Sequence, residues 1–220
     1  MYVGLLAEHC KDVLDDESRV FMGYAEEGAK RMSNLIKDLL AYSRVNRLNR
    51  EPVVVDAESA MNDALAALQL RIEETNAVIT HDKLPTVMAD PTQLMQIFQN
   101  LFENAIKYRK ENEPPRIHVS AEEKEHHWVF SVKDNGIGID PQFHEKIFQA
   151  FQRLHADRSK YPGSGIGLAI VKRIVERQHG FICVDSKPGE GSTFYFTLPR
   201  EVKESSASSQ ASQAGENPLG

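Results

Sequence analysis

The stretch Trp128-Val129-Phe130-Ser131-Val132-Lys133-Asp134-Asn135-Gly136-Ile137-Gly138-Ile139 narrows the choice of fold more than any other. Its first half alternates apolar and polar residues, so Trp128, Phe130 and Val132 share one strand face and Asp134 arrives on that same apolar side. A carboxylate delivered there needs a partner. Two glycines two residues apart, directly after a strand, provide a backbone that takes positive φ or lets a ligand approach closely. The pattern describes a pocket with one acidic hydrogen-bond acceptor at its base. Read alone, Asp-Asn-Gly also opens ordinary turns, and both readings stand at this point.

With 220 residues, the chain has the length for one good core and a smaller appendage. A net charge of −6 leaves no electrostatic footprint for nucleic acid, which excludes nucleic-acid binding as the main role. Cys10 and Cys183 sit in apolar-patterned segments without metal-like spacing and read as reduced core residues. No apolar run approaches membrane-spanning length, and residues 1–7 lack the basic start of a signal peptide, so a cytoplasmic location is expected.

The order of elements begins with a helical hairpin over residues 1–46. Val3, Leu6, Cys10 and Val13 recur at helical spacing, residues 14–17 break the pattern, and Ser18 is placed to cap a long second helix reaching about Arg44. Phe21, Gly28, Leu35 and Tyr42 repeat every seven residues, with Ala25, Met32 and Leu39 at the other seam position and Ile36 and Leu40 widening the stripe. One short partner helix cannot cover that face. The expectation is half of a four-helix homodimer bundle, against the plainer reading of a helix lying on its own domain. Residues 47–52 end in Pro52 and read as a linker.

From 53 to 200 strand and helix signals alternate. Residues 53–55, 78–81 and 86–89 read as short strands, and 58–74 as one helix with Met61, Leu65, Leu68 and Ile72 inward. Asp90 as N-cap, Pro91 at the first helical position and Gln93 at the capping-box position start a helix at Pro91. Its apolar face is Leu94, Ile97, Phe98, Leu101, Ala105 and Tyr108. Asn100, Asn104 and Lys107 follow one another at i, i+4, i+7 beside that face. Two asparagines one turn apart are poor helix filling. The Asn104 amide oxygen suits the oxygen shell of a magnesium ion already holding phosphates and waters, and Lys107 supplies a point charge for the phosphates.

Residues 116–122 and 128–134 form an antiparallel hairpin by pattern, with His126 and His127 read as surface residues. Residues 141–151 read as a short helix carrying Phe148 and Phe151, and 152–161 as a basic loop suited to a lid over an anionic ligand. Gly163-Ser164-Gly165-Ile166-Gly167-Leu168 then runs into a helix over 169–179. Its glycines leave backbone N–H groups unobstructed at a positive helix end, a natural phosphate seat. The spacing matches neither the dinucleotide fingerprint nor the Walker loop. A last hairpin, 181–186 with 193–198, precedes a tail over 201–220 whose Ser, Gln, Gly and Ala read as disordered.

Four boxes thus appear in one order: Asn100-x3-Asn104-x2-Lys107-Tyr108, Asp134-x-Gly136-x-Gly138, Phe148-x2-Phe151 and Gly163-x-Gly165-x-Gly167. In that order they resemble the catalytic, ATP-binding domain of sensor histidine kinases of two-component systems, a branch of the GHKL ATPase superfamily. Residues 35–44 and Phe151-Gln152-Arg153-Leu154-His155 further resemble the phytochrome-type kinases. The resemblance implies an α+β fold, a two-layer α/β sandwich in which helices cover one face of a mixed sheet, behind an α-helical hairpin. It implies ATP and Mg2+ as ligands and a response regulator receiver domain as partner. Asp134 would accept the adenine amino group, Asn104 would hold the metal, and Gly163, Ser164, Gly165, Gly167 and Leu168 would meet the phosphates. Lys107, Tyr108, Gly136, Gly138, Ile139, Phe148, Phe151, Arg153 and Thr193 complete the candidate nucleotide contacts, with Asn100 and Lys107 as candidate catalytic residues.

Two departures qualify that resemblance. The family's phosphoacceptor is a histidine followed by an acidic residue, Leu, a basic residue and usually proline, and no such run occurs; His9 is followed by Cys10-Lys11-Asp12. The chain resembles a kinase beginning after its own phosphorylation site. Hydrolytic relatives carry a water-activating glutamate one turn before the metal asparagine, where this chain has Asn100, and Glu103, next to Asn104, points about 100° away from it around the helix. Phosphotransfer to a histidine, binding of ATP or a response regulator without transfer, and ATP hydrolysis are the competing readings. The last lacks its carboxylate.

Overall fold

The computed structural model describes residues 9, 15–47, 51–154, 161 and 163–200. Apart from His9, the first hairpin helix lies outside the described residues, as do residues 48–50 of the linker, most of the 152–161 loop and the 201–220 tail.

Helix α1 spans Asp16–Arg47. Its cap is Asp15 rather than Ser18: the Ser18 N–H donates to Asp15 Oδ1 at 2.8 Å. Hydrogen bonds from Ser18, its side chain first and its N–H second, hold the Asp15 carboxyl below its usual value. Strand β1 (Val53–Asp56) leads into α2 (Ala57–Ala67) and α3 (Gln69–Thr75). The single helix expected over 58–74 is broken at Leu68, which leaves the helical region at φ −107° and ψ 4°. Leu68 is buried at that bend, and Ile72 packs against the core one turn later. Strands β2 (Val78–His81) and β3 (Thr86–Ala89) precede α4, Pro91–Lys107, whose Asp90 cap accepts the N–H groups of Thr92 and Gln93.

Strands β4 (Arg116–Glu123) and β5 (His127–Asp134) form the expected hairpin. Residues 141–151 do not make an α-helix. Two 3-10 turns, Pro141–Phe143 and Lys146–Phe148, stand there, because Gln149 turns extended and Phe151 takes φ 65°. Helix α5 spans Gly167–Arg177, starting two residues before expectation, and β6 (Ile182–Lys187) pairs with β7 (Gly191–Pro199).

The main sheet runs β2-β4-β5-β7-β6, and β1 and β3 form a separate two-stranded sheet. Only the β2 to β4 pairing is parallel, so the sheet is mixed. One sheet face carries the helices. Its register sets Phe130 opposite Phe196 and Val132 opposite Phe194, and Phe98 of α4 meets the edges of Phe130 and Phe196 at 6.2 and 6.0 Å. Phe130 and Phe196 stack at 4.9 Å. The opposite face is polar, with Ser120 and Ser131 hydroxyls 2.8 Å apart. Cys183, free and half-buried, shares that outer face, so it does not join the core.

Helix α1 meets the sandwich at α5. The Arg173 guanidinium of α5 lies 4.7 Å from the Tyr42 ring centroid and donates to its hydroxyl at 2.9 Å. Tyr42, expected in the bundle seam, instead docks on the sandwich.

Candidate functional site

Strand alternation carries Asp134 inward, and the register places it between Ile117 of β4 and Ser192 of β7. Its Oδ1 accepts the N–H groups of Gly136 at 2.8 Å and Ser192 at 3.2 Å. Oδ2 makes no hydrogen bond among the described residues. Burial pushes the carboxyl up to about 6, against the two N–H donors that pull it down.

The turn after β5 presses onto the end of α4. A Cβ at Gly136 would stand 2.7 Å from the Tyr108 carbonyl oxygen and 2.8 Å from Asp134 Oδ1, so only glycine fits. Ile137 N–H donates to the same carbonyl at 3.0 Å. Asn135 fixes the turn from outside: its Oδ1 accepts from Arg116 N–H at 2.8 Å and its Nδ2 donates to the Pro114 carbonyl at 3.1 Å.

Along α4, the Asn104 side chain makes no hydrogen bond among the described residues and faces the same cleft as Asp134. Asn100 is committed differently. Its Nδ2 donates to the Gln96 carbonyl at 2.8 Å, and a Cβ at Gly167 would lie 2.6 Å from its Oδ1, so Asn100 marks the close approach of α4 to α5. The Lys107 ammonium lies 4.4 Å from the Tyr108 ring centroid. Glu103 also lines the cleft, hydrogen-bonded by Gln99 and 3.8 Å from Arg71.

The glycine turn closes the other side. Gly165 has φ +78°, and its carbonyl accepts the Phe151 N–H at 3.0 Å. Arg153 clamps the stretch before it, donating to the carbonyls of Gly163 at 3.0 Å and Tyr161 at 2.7 Å. The Tyr161 ring lies 5.2 Å from that of Tyr108.

These pieces enclose one cleft of about 720 Å³, within the range of small-molecule sites, roughly 300–1,000 Å³. Asn100, Asn104, Lys107 and Tyr108 line it from α4, and Asp134, Gly138 and Ile139 from the β5 turn. Arg153, Gly163, Ser164, Gly165, Gly167 and Leu168 line it opposite. Four candidates do not. Gly136 is buried beneath Asp134, and Phe148 is a core residue edge-on to Phe194 at 6.4 Å. Phe151 is 58% exposed, and its backbone N–H meets the glycine turn at Gly165. Thr193 lies on the outward face of β7, opposite Lys133, so the neighbouring Ser192 is the hydroxyl that reaches the cleft. The sequence also missed Asn34 and Asp38 of α1, which line the cleft, while Tyr161 does not line it and packs behind Tyr108.

Residues 89–202 match the model of the histidine kinase-, DNA gyrase B- and HSP90-like ATPases. Cyanobacterial phytochrome A of Nostoc sp. is 54% identical over 198 residues, 90% of this chain and 26% of that protein. The chain thus spans about a quarter of that relative's length. The structure of full-length ShkA in complex with AMPPNP superposes with a TM-score of 0.66 at 28% identity, covering 84% of this chain and 39% of that one. The catalytic domain of histidine kinase ThkA gives 0.59 at 25% identity, covering 69% and 97%. With a sandwich of the same build and more than half of its residues matched, the chain belongs to the family of histidine kinase-, DNA gyrase B- and HSP90-like ATPases.

Proposed function

We propose that this chain is the ATP-binding catalytic part of a sensor histidine kinase, transferring the γ-phosphate of ATP to a histidine in two-component signalling. One observation carries the reading: Asp134, Asn104 and the turn at Gly165 line a single cleft. Asp134 Oδ2 is the acceptor for the adenine amino group. The glycine turn and the positive end of α5 face the triphosphate, with Lys107 and Arg153 adding charge.

Among the described residues no group of three or more His, Cys, Asp or Glu side chains forms a metal cage. The donor set nevertheless fits Mg2+: Asn104 offers a hard, uncommitted amide oxygen, and phosphates and water supply the rest. When bound, the ion neutralises phosphate charge during transfer. Asn100 cannot take a proton from water, and Glu103 stands next to Asn104 rather than at the Asn100 position, its carboxylate 3.8 Å from Arg71. A neutral imidazole already carries the lone pair that attacks phosphorus, so it needs no base before the bond forms. That contrast supports transfer to histidine over hydrolysis.

The same reading makes the protein a cytoplasmic homodimer joined through α1. Phe21 and Met32, each 61% exposed, belong to an apolar stripe along that helix, the pattern of an open bundle seam. The phosphorylated histidine would pass its phosphoryl group to a response regulator receiver domain. No helix among the described residues is long and apolar enough to cross a membrane. The test supplies an acceptor domain with an intact histidine motif, together with γ-labelled ATP. Label on the acceptor histidine is the expected result, and normal ATP binding without transfer refutes the kinase assignment.

A further inference from the structure

Beneath Asp134 lie two buried serines, Ser186 and Ser192. Ser186 of β6 is 5% exposed and Ser192 of β7 is 7% exposed, and their hydroxyls are 3.0 Å apart. Ser186 Oγ also receives the Ile139 N–H at 2.8 Å and donates to the Gly191 carbonyl at 2.7 Å.

The hydrogens can be counted. A serine hydroxyl has one proton and two lone pairs. The Gly191 carbonyl can only accept, so that contact consumes the Ser186 proton. Ile139 N–H can only donate, so it occupies one Ser186 lone pair. The Ser186 to Ser192 contact is then satisfied only if Ser192 donates its proton to the remaining lone pair. Ser192, which lines the cleft, is left facing the ligand with lone pairs alone.

We infer that Ser186 is a positioning residue which fixes the Ser192 hydroxyl as an acceptor. The purine floor then presents only acceptors, Asp134 Oδ2 and Ser192 Oγ, and selects a 6-amino over a 6-oxo purine. This rests on the nucleotide reading above and deepens it. An exocyclic amino group has two N–H donors for such a floor. A 6-oxo purine held in the same pose places its oxygen against lone pairs, leaving buried acceptors unpaired. The relay also joins the loop after β5 to the start of β7, the two segments that hold Asp134.

The experiment measures dissociation constants for ADP and IDP with wild type, Ser186→Ala, Ser186→Thr and Ser192→Ala, each checked for a cooperative melt. Ser186→Ala frees the Ser192 proton to turn toward the ligand. The ADP over IDP preference is expected to fall about tenfold, the scale of one hydrogen bond. Ser186→Thr, which retains the hydroxyl, keeps the wild-type ratio within about twofold of its value, well inside that scale. A purely structural role would weaken both nucleotides equally, and an unchanged ratio in Ser186→Ala overturns the relay. If Ser186→Ala fails to fold, Ser192→Ala decides: removing the acceptor must lower the preference, and an unchanged ratio overturns the proposal. Wild type binding neither nucleotide sinks the nucleotide reading and the relay with it. Wild type binding ADP with an unaltered ratio in the alanine variants sinks the relay alone.

Discussion

Asp134→Asn should separate fold stability from ligand affinity, moving them in opposite directions. Burial moves the carboxyl from 3.8 to about 6, and at about 1.36 kcal/mol per pH unit the ionised form costs the fold about 3 kcal/mol at neutral pH. The sign follows from proton binding. Between the two values the folded state holds the proton more tightly than the unfolded chain, so stability falls as pH rises through that window. The full penalty stands above pH 6. Asparagine keeps an acceptor for the N–H groups of Gly136 and Ser192 but carries no charge to desolvate. The pull of those two N–H donors is already contained in the value of about 6, so nothing further is subtracted for it. The gain is about 3 kcal/mol at most, or about 6–12 °C in melting temperature for a chain of this size. The gain should shrink as pH falls from 6 toward 4. The same substitution puts an NH2 group where Oδ2 faced the cleft, so adenine nucleotide affinity should drop by about 1.5–3 kcal/mol. Thermal melts at pH 7.5 and pH 5, with calorimetric titration of ADP at pH 7.5, measure both effects. A variant that melts below wild type by the same margin at both pH values refutes the buried-charge account, and unchanged ADP affinity removes Asp134 from the site.

Four further outcomes are expected. Asn104→Ala should make nucleotide binding insensitive to Mg2+, checked by titrating ADP with and without the ion; a retained dependence counts against its role. Wild-type ADP affinity should hold steady from pH 8 to 7 and weaken as pH falls below about 6, because protonation takes the Asp134 acceptor away. Gly165→Ala forces an L side chain to φ +78° with its Cβ 2.7 Å from the Gln152 carbonyl oxygen; a stability loss of about 1–3 kcal/mol should appear in denaturant titrations, with weakened ATP binding. Tyr42→Ala removes the ring beneath Arg173, a contact of about 0.5–2 kcal/mol, so amide exchange along α1 should quicken while that in β5 and β7 stays unchanged.

Much of this arrangement is legible locally. Asp90-Pro91-Thr92-Gln93 carries a complete helix start, and α4 begins at Pro91. The alternation from Trp128 to Asp134 needs only a period of two, and the β5 to β7 pairing sets that whole face inward. What local pattern leaves open is which of two adjacent hydroxyls points in. Ser192 and Thr193 have equal claims until the register with Asp134 is known. Phe148 and Phe151 share a spacing, yet one is core and the other exposed, because the chain between them abandons the helical path at Gln149. Tyr42 fits a seven-residue repeat as well as any seam residue, and only the tertiary approach of Arg173 claims it. The bend at Leu68 is equally non-local: a helical pattern continues across it, and burial of Leu68 decides.

The contact between Tyr42 and Arg173 gives α5 two masters. Its first residue, Gly167, lines the cleft, and Arg173, six positions on, grips the long helix. At 1.5 Å per residue those points are about 9 Å apart on one stiff rod. Twisting or sliding of α1 at Tyr42 therefore bears on the Gly167 end of the same rod, and anything that orders the glycine turn pushes back on α1. One ring, one guanidinium and less than two turns of helix thus connect α1 to the glycine-turn end of the cleft.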